Sequence, residues 1–78
     1  MVQVRLFGTA REAAGASVCD LQGETVEEVL RAACVRFGDA LGAVLEHSTV
    51  WVNGEPASAE HALVPSDELA VLPPVSGG

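Results

Sequence analysis

Lysine is missing from this sequence altogether. Its permanent cations are Arg5, Arg11, Arg31 and Arg36, set against eleven acidic residues for a net charge of −7. Nucleic-acid binding needs clustered bases to neutralise phosphates, so that class is excluded. The imbalance fits a solvated acidic surface, or steering toward a basic partner. Long apolar runs are missing too. No stretch approaches the roughly 20 residues that span a bilayer, so no membrane association is expected. Met1-Val2-Gln3-Val4-Arg5 lacks the charged and apolar regions of a secretory signal, which makes the cytoplasm the expected location.

Reactive groups are equally sparse. Cys19 and Cys34 are too few for a disulfide framework and lack the spacing of a metal site. His47 and His61 each stand alone near turns, where exposed histidines are the expectation. No glycine-rich phosphate loop, Ser/His/Asp set or acid–base pair can be assembled. The expectation is a chain with no active site of its own, no metal and no bound cofactor.

What is present is a hydrophobic content of 49% in 78 residues, enough for one small domain with a compact core. Val2-Gln3-Val4-Arg5-Leu6-Phe7 alternates as a strand, followed by a short helical turn over Ala10–Ala14 that Gly15 stops. Ser17–Leu21 reads as a second strand. Thr25 opens the main helix, with Glu28 placed for a capping box. Val26, Val29, Leu30, Ala33, Cys34 and Phe37 recur at helical spacing, and Gly38 ends the helix. A shorter helical piece covers Ala40–Leu45. Ser48–Val52 is a strand closed by the hairpin signal Asn53-Gly54, and Pro56 confines the next segment to an edge or loop. Glu68–Leu72 is the final strand. One main helix on one face of a four- to five-stranded mixed sheet is the economical packing, an α+β domain over residues 1–72.

Alternation sorts the large side chains. With Val4, Leu6, Val50, Val52, Leu69 and Val71 facing the helix, Phe7, Trp51 and Leu72 fall on the opposite sheet face. Three bulky apolar residues there suggest a partner-binding patch. Beyond the last strand, residues 73–78 read Pro73-Pro74-Val75-Ser76-Gly77-Gly78. The prolines end the ladder and launch an extended, flexible tail. The glycines lack Cβ atoms and fit a slot too narrow for other residues. Six extended residues reach about 20 Å, enough to enter a neighbour's active site.

A β-β-α-β-β order with this tail resembles the β-grasp, ubiquitin-like sulfur carriers of the MoaD/ThiS family, most closely the small subunit of molybdopterin synthase. The resemblance runs the whole length, through Ala10-Arg11-Glu12, Thr25-Val26, Val52-Asn53 and Asp67-Glu68-Leu69-Ala70, and Pro-Pro-Val-Ser-Gly-Gly is its most specific piece. It implies that Gly78 is the reacting residue. A ubiquitin-activating-like adenylyltransferase would use ATP to adenylate its carboxylate, which then becomes a thiocarboxylate. Sulfur would pass to a cyclic pyranopterin precursor in the large catalytic subunit. Val75, Ser76 and Gly77 would thread into the partners, and Phe7, Trp51, Leu72, Pro73 and Pro74 would form the partner interface. Trp51 is larger than the residue the family places there. Three other readings share the features: a thiamine-pathway carrier, a protein modifier joined to target lysines through Gly78, and a binding module with an incidental Gly-Gly. The lysine-free sequence also fits an unbranched tag.

Overall fold

Alternation shapes β1 (Val2–Leu6) as the sequence implies: Val2, Val4 and Leu6 are buried, while Gln3 and Arg5 between them reach solvent. The fold is a computed structural model that describes residues 1–74. After β1 come α1 (Gly8–Ala14), β2 (Val18–Leu21), α2 (Val26–Phe37) and α3 (Asp39–Leu45). β3 (Thr49–Val52), β4 (Glu55–Pro56) and β5 (Glu68–Leu72) complete the chain order. The five strands form one mixed sheet in the order β2-β1-β5-β3-β4. β1 and β5 run parallel, and every other neighbouring pair is antiparallel.

The β3–β4 turn is set by its two residues. Asn53 and Gly54 both take positive φ, at 50° and 84°. That is the backbone of the tight hairpin turn whose twist matches the flanking strands. Pro56 then lies on the sheet edge, where its missing N–H breaks no interior ladder.

α2 is capped from three directions. The Thr25 hydroxyl accepts from the Glu28 N–H at 3.2 Å. The Glu28 carboxylate accepts from the Glu24 N–H at 3.1 Å, so the expected box closes one residue earlier than on Thr25 itself. The Val26 and Glu27 N–H groups donate to the carbonyls of His61 and Ala59, at 3.0 and 2.9 Å. The first helical amides, which have no partner inside the helix, are thus satisfied by the cap residue and by the loop before β5. That loop-rich stretch is part of the fold, pinned by buried Leu63.

α2 buries Val26, Val29 and Ala33 in the core on one side of the sheet. Gly38 ends it, and α3 begins at Asp39, one residue before the sequence expectation. Leu41 anchors α3 with no exposed surface. α3 packs beside α2 at Gly42, where an added Cβ would come into van der Waals contact with the Cys34 Sγ at 3.4 Å. Cys19 is buried in β2, where burial raises its thiol pKa against the opposing pull of Arg36, and Cys34 is half-buried. His47 and His61 are exposed. No helix among the described residues is long and apolar enough to cross a membrane.

One polar cluster ties the hairpin to the start of β5. The Asp67 carboxylate accepts from the Val64 N–H at 3.0 Å and from the Asn53 Nδ2 at 2.8 Å. The Asn53 Oδ1 accepts in turn from the Glu68 N–H at 3.0 Å. The backbone bond from Val64 first, and the Asn53 amide second, hold the Asp67 carboxyl below its ordinary pKa. A lowered folded pKa stabilises the fold above the unfolded carboxylate value of about 3.9, and the effect is lost as pH falls through the folded value. Thermal melts of wild type and Asp67→Asn should therefore differ at neutral pH, and the difference should shrink as acid protonates the folded carboxylate. A gap that persists into acid would show that the carboxylate's charge is not what stabilises the turn.

Candidate functional site

All three helices among the described residues stand on one side of the sheet or at its ends, and the opposite face is bare. Strand register places its side chains in rows. Val18 pairs with Arg5, Arg5 with Ala70, Ala70 with Trp51, and Trp51 with Pro56, so one row crosses all five strands. The next row toward the β3–β4 turn carries Asp20, Gln3 and Glu68. On the other side Leu72 pairs with Thr49.

Phe7 joins this face although it lies beyond β1, as the N-cap of α1. Its backbone remains extended (φ −121°, ψ 158°), so the alternation of β1 carries one residue further. The residues before Phe7 and Leu72, Leu6 and Val71, are register partners, which sets Phe7 and Leu72 side by side. Both are open to solvent, at 44% and 36% exposure. Trp51 is only half-buried rather than fully displayed, standing two strands from Phe7 in a row flanked by Ala70 and Pro56. Val18 adds a further exposed apolar side chain, at 42%.

Arg5, Val18, Glu68 and Ala70 were not among the interface residues expected from the sequence. Arg5 Nε and a Glu68 carboxylate oxygen lie 3.0 Å apart, both side chains nearly half exposed. An ion pair so wet contributes little to stability. Its location, where the apolar row of Val18, Ala70 and Trp51 meets the polar row of Asp20 and Gln3, gives it another significance. The parity of Arg5 with Phe7 was readable, but its contact with Glu68 depends on the parallel β1–β5 register, which no local signal specifies.

Pro73, half-buried, follows Leu72 and lies close to the start of α1, with its Cγ 3.8 Å from where a Gly8 Cβ would stand. Pro74 is exposed. Val75, Ser76, Gly77 and Gly78 lie outside the described residues. The chain thus leaves β5, the middle strand, at the edge of the apolar patch. No group of three or more His, Cys, Asp or Glu side chains among the described residues is placed to hold a metal. A groove of about 810 Å³ runs between α2 and α3 past Leu30, Cys34 and Leu45, on the helical side and away from Pro73. The exposed apolar side chains of Phe7, Val18 and Leu72 and the point where the chain leaves β5 share this side of the molecule.

A mixed sheet that grips one principal helix in this order defines the β-grasp class, an α+β fold. The chain belongs to the ThiS family, β-grasp sulfur carriers, whose family model matches residues 4–78. Its structure is similar to the solution structure of small archaeal modifier protein 1 from Methanosarcina acetivorans. That match has a TM-score of 0.89 and 34% identity, covering 99% of this chain and 95% of that one. The crystal structure of the Haloferax volcanii protein of the same name gives a TM-score of 0.82 and 35% identity, over 99% and 98% of the two chains. By sequence alone the Haloferax protein is 50% identical over 42 residues, 54% of this chain and 47% of that protein, so this alignment spans about half the relative's length. The complex of subunits 1 and 2 of molybdopterin-converting factor from Helicobacter pylori contains a similar chain. There the TM-score is 0.70 and the identity 26%, with 99% of this chain and 97% of that one covered.

The exposure of Phe7 and Leu72 generates a test. Truncating either to alanine leaves no cavity in the core, so melting should change little. Affinity for a docking partner should fall by about 2 kcal/mol if the residue is a central anchor. A loss of about 3 kcal/mol in stability with unchanged affinity would place the side chain's role in the core instead.

Proposed function

We propose that the protein is a sulfur carrier for molybdopterin synthesis that works through the carboxylate of Gly78. In this reading a ubiquitin-activating-like adenylyltransferase docks on the open sheet face and joins the carboxylate to AMP, releasing pyrophosphate from ATP. A carboxylate is a poor acyl donor, and AMP supplies the leaving group. A sulfur nucleophile then displaces AMP, leaving a terminal thiocarboxylate. The large catalytic subunit of the synthase binds the same face and receives the tail, so the soft, nucleophilic sulfur meets a cyclic pyranopterin precursor. The catalytic groups belong to the partners.

The observation that carries this reading is the continuity of β5 with Pro73-Pro74-Val75-Ser76-Gly77-Gly78: the middle strand of the sheet runs directly into a tail with a double glycine. The family match through residue 78 and the likeness to a chain of the molybdopterin-converting factor complex support it. A second reading, supported by the near-full-length likeness to two small archaeal modifier proteins, makes the chain a protein modifier. There a lysine amine of a target attacks the activated Gly78 and forms an isopeptide bond. Both readings share adenylation and diverge at the nucleophile.

Intact mass after coexpression with the adenylyltransferase of the same genome separates them. Exchange of one oxygen for sulfur supports the carrier, and a ladder of heavier conjugates supports the modifier. An unchanged mass beside an active enzyme excludes both. Deleting Gly78 should abolish the modification and leave the melting temperature unchanged. Gly77→Phe should block ATP–pyrophosphate exchange while sheet-face docking survives. Normal exchange by that variant would show that the partner's slot tolerates a side chain.

A further inference from the structure

Arg5 is the one cation on the open sheet face among the described residues, standing between Val18 and Ala70 in the row that ends at Trp51 and Pro56. Glu68 engages its Nε side at 3.0 Å. The two terminal nitrogens of the guanidinium have no acceptor among the described residues, and nearly half of the side chain is in water. On the free protein this costs nothing, because water satisfies them.

Docking changes that. This inference rests on the proposed function, in which the adenylyltransferase covers the open face. A partner that covers Phe7, Leu72, Val18 and Trp51 strips water from the row between them. The remaining N–H donors of Arg5 then need new acceptors, and a partner offering only apolar surface would leave them buried and unsatisfied. The guanidinium fork presents two parallel donors that a single carboxylate accepts together. Glu68 approaches from the Nε side, which leaves the terminal fork facing outward for a partner's carboxylate.

We infer that Arg5 is the selectivity contact of this face, and that the matching adenylyltransferase sets one aspartate or glutamate carboxylate opposite it, at the border between the apolar row and the polar row of Asp20 and Gln3. A partner without that carboxylate is rejected by the desolvated charge rather than by shape, which is discrimination through an unfavourable wrong complex.

The test compares two adenylyltransferases, the cognate one and a ubiquitin-activating-like enzyme from another genome that does not use this carrier. ATP–pyrophosphate exchange gives kcat/KM for each. In Arg5→Met/Glu68→Leu the ion pair is replaced by apolar side chains, and thermal melts confirm that the fold is kept. With the cognate enzyme kcat/KM should fall roughly tenfold or more, mostly through KM, and with the foreign enzyme it should rise. Arg5→Gln, which keeps a smaller hydrogen-bonding group, should fall between wild type and the double variant with the cognate enzyme. An unchanged cognate-to-foreign ratio in the double variant overturns the inference. Failure of the wild-type carrier to support exchange with its own enzyme overturns the proposed function, so the two failures are distinct.

Discussion

Everything on this surface depends on where β5 sits. The strand lies in the middle of the sheet, parallel to β1 on one side and antiparallel to β3 on the other. Leu69 and Val71 on its helical face have no exposed surface. A strand paired on both edges and buried on one face is among the last parts of a domain to open locally. The tail is therefore attached at Leu72 to a strand held on both edges, and the same hydrogen bonds that hold the sheet together fix that point of attachment. Asn53 and Asp67 reinforce this at the opposite end, clamping the start of β5 to the β3–β4 turn.

The helices have a negative role in function. α2 buries its apolar stripe against one side of the sheet, and α1 and α3 add Ala10 and Leu41 to the same core. The core is complete without the other face, so that face is free to hold residues that stability does not need. Phe7, Val18 and Leu72 are exposed there at little folding benefit. Such residues are explained by what they meet outside the molecule. In the inferred docking, the Arg5–Glu68 ion pair beside them is what makes the patch particular, since an apolar patch alone would attract many partners.

Much of this was legible in the sequence, for identifiable reasons. Asn53-Gly54 demands positive φ at both residues, and that local requirement is met. Thr25 and Glu28 announce the start of α2, and period-two alternation places Phe7 and Leu72 on the open face without knowledge of strand order. The rest depended on contacts between distant segments. Ala59 and His61 cap α2 through their carbonyl oxygens, which every residue carries, so their identities give no sign of it. Trp51 was placed on the correct face, but its half-burial comes from the neighbours that register gives it. Arg5 meets Glu68 because β1 and β5 are parallel, a pairing that joins opposite ends of the chain. For the tail, the reading rests on composition alone: two prolines and two glycines carry the expectation of threading, and residues 75–78 lie outside the described residues.

The missing lysines become intelligible in the same terms. In the proposed chemistry the chain carries an activated acyl group on a tail that reaches about 20 Å, far enough to sweep much of a domain whose longest extent is 35 Å. A lysine amine within that sweep would be a competing nucleophile whenever it lost its proton, and the amide it formed would end the carrier's cycle. Arginine supplies the same positive charge without that hazard, because its guanidinium stays protonated and does not attack acyl groups. Every permanently charged cationic side chain is an arginine: Arg5 and Arg31 in ion pairs, Arg36 at the Asp20 carbonyl and over the Phe37 ring, and Arg11 on α1. A sequence that keeps its charges and dispenses with side-chain amines is chemically suited to carrying a reactive end past its own side chains.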